Sequence, residues 1–112
     1  MASRIKRLYE AVEAERLRDP ARSRTARLMA LGREKMAQKL GEEAVEVVIC
    51  ATRGDREQLI PESVDLLYHL VVLWSELGVK PADVWAEMDR REAALGLAEK
   101  LPKSPLKVVK VA

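Results

Sequence analysis

The sequence predicts an all-α protein, a compact bundle of four to five helices completed by dimerisation. Three observations carry that reading. Apolar residues recur at three- and four-residue steps through most of the chain, the spacing of helices with one face buried. Phe is absent and aromatic residues make up only 4%, so the core must be built from Leu, Val, Ala and Met, a composition that favours helices over a sandwich of short strands. Gly and Pro fall between the periodic stretches, where helices stop and start.

The elements follow in order. Ile5, Leu8, Tyr9, Val12 and Leu17 mark a first helix over 3–18, with Ser3 as its cap and Asp19-Pro20 as its break. Residues 21–25 read as a basic loop, and 25–31 as a short helix leading into Gly32. The third helix, 33–53, turns Met36, Leu40, Ala44, Val47, Val48 and Ala51 inward, and Gly54 sits just past its end. A short amphipathic piece, 56–59, precedes Pro61, which suits the first turn of a helix over 61–77. From Leu66 to Trp74 that helix is apolar on nearly every side, so it must be enclosed nearly all round. So short a chain has few elements to enclose it, and a second copy is expected to cover part of it. Gly78 ends the helix, and a last one over 81–97 carries Val84, Met88 and Leu95 on one face. The chain is expected to form one domain over 1–101 with a basic tail over 102–112.

Composition excludes several classes. The single Cys50 rules out an internal disulfide, and one Cys with one His cannot hold a structural zinc, which fits a reducing cytoplasm. The longest near-apolar run, Val64 to Trp74, falls well short of the roughly 20 residues that span a bilayer. The net charge of +2 conceals a partition into a basic first third, an acidic middle and a basic end. Binding to nucleic acid would account for the basic block alone; a polyphosphate substrate held through a metal accounts for both signs.

The strongest chemical feature is an acid–x–x–acid pair repeated on two helices, Glu43/Glu46 and Glu62/Asp65. Residues three apart on a helix share a side, with Cβ atoms about 5–6 Å apart. A single such pair is usually a solvated face. Two pairs on helices joined by a short connection bring four carboxylates together amid apolar neighbours, and a hard divalent cation such as Mg²⁺ (or Mn²⁺ as a substitute) relieves their repulsion.

The stretches Lys39-Leu40-Gly41-Glu42-Glu43-Ala44-Val45-Glu46 and Glu62-Ser63-Val64-Asp65-Leu66-Leu67-Tyr68-His69 closely resemble the phosphoribosyl-ATP pyrophosphohydrolases of histidine biosynthesis, a family within the MazG-like all-α nucleotide pyrophosphatases. Thr25-Ala26-Arg27-Leu28, Gly54-Asp55 and Arg90-Arg91 extend the likeness over about residues 5–103. Three features depart from the family pattern: Arg24 within Ser23-Arg24-Thr25, Pro61 before Glu62, and the tail to Ala112. The resemblance implies Mg²⁺-dependent hydrolysis of phosphoribosyl-ATP to phosphoribosyl-AMP and pyrophosphate by a homodimer or dimer of dimers. Under it, Glu43, Glu46, Glu62 and Asp65 hold the metal. Glu42 takes the proton of the attacking water. Lys35, Lys39, Arg24 and Arg27 hold phosphates, with Arg22 a further candidate, and Tyr68 and His69 contact substrate or pack. The alternatives are a house-cleaning nucleoside triphosphate pyrophosphohydrolase and, from another class, a non-catalytic helical oligomerisation or regulatory module.

Overall fold

A computed structural model describes residues 3–95. It contains helices α1 (Arg4–Glu15), α2 (Arg24–Ala30), α3 (Arg33–Arg53), α4 (Arg56–Leu77) and α5 (Pro81–Leu95), with no strand among the described residues. The all-α expectation holds.

Ser3 starts α1 as expected, its hydroxyl accepting the Lys6 N–H at 3.0 Å. The helix ends three residues before the expected Arg18. Leu17 is 93% exposed and contributes nothing to the apolar stripe, while the Arg16 guanidinium turns to donate to the Ser75 carbonyl at 2.9 Å. The Ser75 hydroxyl in turn donates to Glu13 at 2.6 Å, so the end of α1 is clasped to the end of α4.

Helices α3 and α4 form an antiparallel hairpin joined by Gly54 and Asp55 alone. Gly54 takes the left-handed conformation (φ 68°), which glycine adopts without the steric penalty of a Cβ, and it lets the Asp55 N–H reach the Cys50 carbonyl at 2.9 Å. The expected break between a piece over 56–59 and a helix from Pro61 is absent; α4 is continuous from Arg56. The Asp55 side chain caps it by accepting from the Gln58 N–H at 3.1 Å. Pro61 removes a single backbone bond, the one to the Glu57 carbonyl, on an exposed part of the helix.

The core lies where α1, α2, α3 and the second half of α4 meet: Val12, Leu28, Met36, Val71 and Val72, with Leu8, Tyr9, Tyr68 and Trp74 packed against it. One sequence expectation needs correction here. Val48 is 62% exposed and Ala51 is exposed, because the 3.6-residue period carries the inward line of α3 through Leu40 and Val47 to Cys50 instead. Within one chain the apolar surround of α4 is only partly covered. The stripe that is buried at Val71 continues toward the helix start as Leu67, Val64 and Ile60, which are 43%, 60% and 58% exposed, because α1 and α2 pack only on the C-terminal half.

The chain divides after Pro81 into two compact units. Within α5, Glu87 accepts from Arg90 and Arg91, and the two guanidiniums hold its carboxyl down at about 2. The expected end of α5 at Leu97 and the tail over 102–112 lie outside the described residues.

Candidate active site

The tight Gly54-Asp55 turn sets the register of the hairpin, placing Glu43 of α3 opposite Glu62 and Asp65 of α4. One carboxylate oxygen from each of the three lies within 4.8 Å of the others. Oxygen ligands around Mg²⁺, at about 2.1 Å, sit about 3.0 Å apart when adjacent and about 4.2 Å when opposite, so the trio needs to close by only about 1–2 Å. Glu43 and Glu62 are half-buried and Asp65 is exposed. Burial first, then the charges of Asp65 and Glu62, a hydrogen bond with Glu62 and the charge of Glu46 push the Glu43 carboxyl above its ordinary range. Among the described residues, no ion pair brings an arginine or lysine to any member of the trio. A crowd of acids without a cationic partner, all oxygen donors, fits a hard divalent cation.

Beside the trio lie two adjoining cavities that share Arg24, Glu43, Tyr68 and His69 in their walls. The smaller, about 180 Å³, adds Arg27 and Lys39 and is the cationic one. The larger, about 500 Å³, adds Leu8, Val64 and Asp65. Arg24 and Arg27 reach the cavity because they lie three apart on α2, whose first turn is capped by the Ser23 hydroxyl accepting from the Ala26 N–H at 3.0 Å. The Arg27 Nε also donates to the Pro20 carbonyl at 3.1 Å.

His69 is buried, its ring set edge-on to Tyr68 with centroids 4.9 Å apart, and its Nδ1 is sealed from solvent without a hydrogen-bond partner. Burial lowers its pKa; Asp65 opposes that shift, and Lys39 and Arg24 add to it. Burial and the two cations thus favour the neutral imidazole over the charged one.

The remaining expected residues lie around this centre rather than in it. Glu46 is exposed and outside the trio, though its charge is felt at Glu43. Glu42 is exposed, accepts from Gln38 at 2.9 Å and pairs with Lys39 at 3.3 Å, contacts that lower its pKa. Lys35 donates weakly to Gln38 at 3.5 Å, and neither it nor Arg22 lines the two cavities. Sequence reasoning missed Leu8 and Val64 as cavity walls and Thr25 as a polar contact. Thr25 is buried on α2 with its hydroxyl bonded to that of Tyr68, and a threonine within an ordinary helical pattern carries no local signal of such a partner.

Fold and site together define a class: an all-α protein whose helical hairpin gathers acidic side chains beside a cation-lined cavity. More narrowly, the chain belongs to the phosphoribosyl-ATP pyrophosphohydrolase family, whose profile matches residues 5–92. It is 60% identical over 112 residues to phosphoribosyl-ATP pyrophosphatase 2 of Bradyrhizobium diazoefficiens, covering 100% of this chain and 84% of the relative. The protein of the same name from Rhodopseudomonas palustris is 64% identical over 93% of this chain and 79% of its own length. Phosphoribosyl-ATP pyrophosphatase of Gluconobacter oxydans is 55% identical over 91% of this chain and 78% of its own length.

Proposed function

We propose that this protein hydrolyses the α–β phosphoanhydride of phosphoribosyl-ATP, giving phosphoribosyl-AMP and pyrophosphate in the second step of histidine biosynthesis, as a cytoplasmic Mg²⁺-dependent enzyme. The observation that carries the reading is the Glu43/Glu62/Asp65 trio, whose Glu43 also lines a cavity walled by Arg24, Arg27 and Lys39, in a chain of this family. A triphosphate needs its negative charge neutralised on both sides of the bond that breaks, and this cavity offers one device for each side.

Glu43, Glu62 and Asp65 would hold the divalent cation, with Glu46, one turn from Glu43, as a further donor. The cation, when bound, neutralises phosphate charge and makes a water more acidic. Arg24, Arg27 and Lys39 bind the departing pyrophosphate, with Lys35 at the outer edge. His69 contacts substrate, and the Tyr68 ring forms the wall between the two cavities. Glu42, kept ionised by Lys39 and Gln38, exchanges Gln38 for the attacking water and takes its proton. The water oxygen becomes bonded to phosphorus as the α–β bridge breaks, and the bridging oxygen leaves with one of the two products.

We further propose that the exposed stripe Ile60, Val64 and Leu67 of α4, with Val45, Val48 and Ile49 of α3, is covered by a second copy of the chain. It continues a stripe already buried at Val71, and its residues are large apolar groups that water solvates poorly.

Pyrophosphate release from phosphoribosyl-ATP, compared with a panel of nucleoside triphosphates, tests the activity. Turnover of the panel without phosphoribosyl-ATP would instead assign a house-cleaning hydrolase. Glu46→Gln and Glu42→Gln should both stay folded and lose about 100-fold or more in kcat, the scale of one general base or one metal ligand. Only Glu46→Gln should also weaken Mg²⁺ dependence, and undiminished turnover by either variant removes that residue from the site.

A further inference from the structure

The Ser-x-Thr stretch at the start of α2 does more than begin a helix. Ser23 caps it, and two residues on, the Thr25 hydroxyl lies 2.5 Å from that of Tyr68 on α4, a hydrogen bond between residues 43 positions apart in sequence. Arg24 stands between the two and Arg27 follows one turn later, so both cavity arginines hang on the rotation of this one short helix. Seven residues do not make a stable helix alone, so α2 is held by what it packs against. Its buried apolar residues, Ala26 and Leu28, anchor it without a directional constraint, since apolar contact tolerates rotation. The Thr25–Tyr68 bond is directional and fixes the angle about the helix axis. Tyr68 is itself seated against the core and His69, so the angle is referred to the same helix that carries Glu62 and Asp65.

We propose that Thr25 and Tyr68 form a positioning pair that sets the distance between the cationic wall of the cavity and the carboxylate trio, and thereby the affinity for the polyphosphate part of the substrate. The Tyr68 hydroxyl is engaged by Thr25, so it serves substrate binding through Arg24 and Arg27 rather than by touching substrate. This inference rests on the reading of the cavity given under Proposed function.

The test measures KM, kcat and Mg²⁺ dependence for phosphoribosyl-ATP in Thr25→Val, Tyr68→Phe, the double variant and Thr25→Ser. Valine matches threonine in shape and phenylalanine retains the packed ring, so each removes the bond with little loss of volume. KM should rise about five- to tenfold in either single variant, the scale of one neutral hydrogen bond, with kcat changed less than about threefold. The double variant should be no worse than either single one, and Thr25→Ser, which retains the hydroxyl, should restore KM to within about twofold. Mg²⁺ dependence should not move, because the trio lies on α3 and α4. A merely structural role would lower the melting temperature and leave KM in place. Unchanged KM in Tyr68→Phe, a loss confined to kcat, or additive effects in the double variant would overturn the pair; should Thr25→Val not fold, Tyr68→Phe and Thr25→Ser still decide. If the wild type itself fails to turn over phosphoribosyl-ATP, the reading of the cavity falls instead, whatever the variants do.

Discussion

Replacing Glu43 with Gln should stabilise the metal-free protein while removing its response to magnesium. Carboxylate oxygens of Glu43, Glu62 and Asp65 lie within 4.8 Å of one another. At that separation, two unit charges repel by about 0.9 kcal/mol in a water-like medium and about 3.5 kcal/mol at an effective dielectric of about 20. Glu43 and Glu62 are only half-buried and Asp65 is exposed, so the lower figure governs. Glu43 takes part in two such pairs, and neutralising it should yield about 1–2 kcal/mol, or about 4–16 °C in melting temperature for a unit of this size. Gln preserves shape and helix propensity, which isolates the charge.

The sign depends on pH. The folded-state pKa of Glu43 lies above its ordinary 4.5, so its contribution to stability is fully present below 4.5 and is lost as pH rises through the folded value. The gain from Glu43→Gln should therefore be full at pH 8 and vanish below pH 4.5. Thermal unfolding in EDTA at fixed protein concentration reads this directly. Saturating Mg²⁺ should then reverse the order, since a cation at about 100 times its Kd adds about 2.7 kcal/mol to the wild type and little to the variant. A Glu43→Gln protein less stable than wild type in EDTA at pH 8, or equally stabilised by Mg²⁺, would refute the acidic centre as a cation site.

Two further outcomes are expected. Val48→Glu combined with Ile60→Glu, placed on the exposed apolar stripe, should convert a dimer to a monomer in light scattering at micromolar concentration, and an unchanged mass would move the interface elsewhere. His69, whose folded pKa is depressed chiefly by burial, contributes stability present above its ordinary 6.5 and lost as pH falls toward the folded value; urea midpoints should drop over that window in the wild type and not in His69→Asn, and parallel curves would show another group titrating.

Much of this was legible in the chain because helix period and stop signals are local. The limits of α3 and the roles of Ser3, Gly54 and Gly78 follow from residues within one turn of each position. Where local signals compete, the sequence misleads. Pro61 looks like a helix start, yet Asp55 supplies a stronger cap six residues earlier and the helix absorbs the proline. Arg16 looks like a continuation of α1 until the distant Ser75 carbonyl claims it. The acid pairs were visible as a spacing, but which three oxygens converge depends on the rotation of α3 against α4, and that leaves Glu46 outside. Thr25–Tyr68 was invisible for a similar reason, since its two ends belong to different parts of the sequence.

The two-residue link at Gly54-Asp55 has a consequence for how the centre comes to exist. Its carboxylates all fall within residues 43–65, so closing the chain around them costs little entropy and involves contacts of low sequence separation. The acidic centre is in that sense a property of one hairpin rather than of the finished molecule, and its geometry survives changes in distant segments that leave the hairpin's register alone. The arginine-bearing side of the cavity has no such independence, since the helix that carries it is oriented by the bond from Thr25 to Tyr68, beyond the far end of that segment.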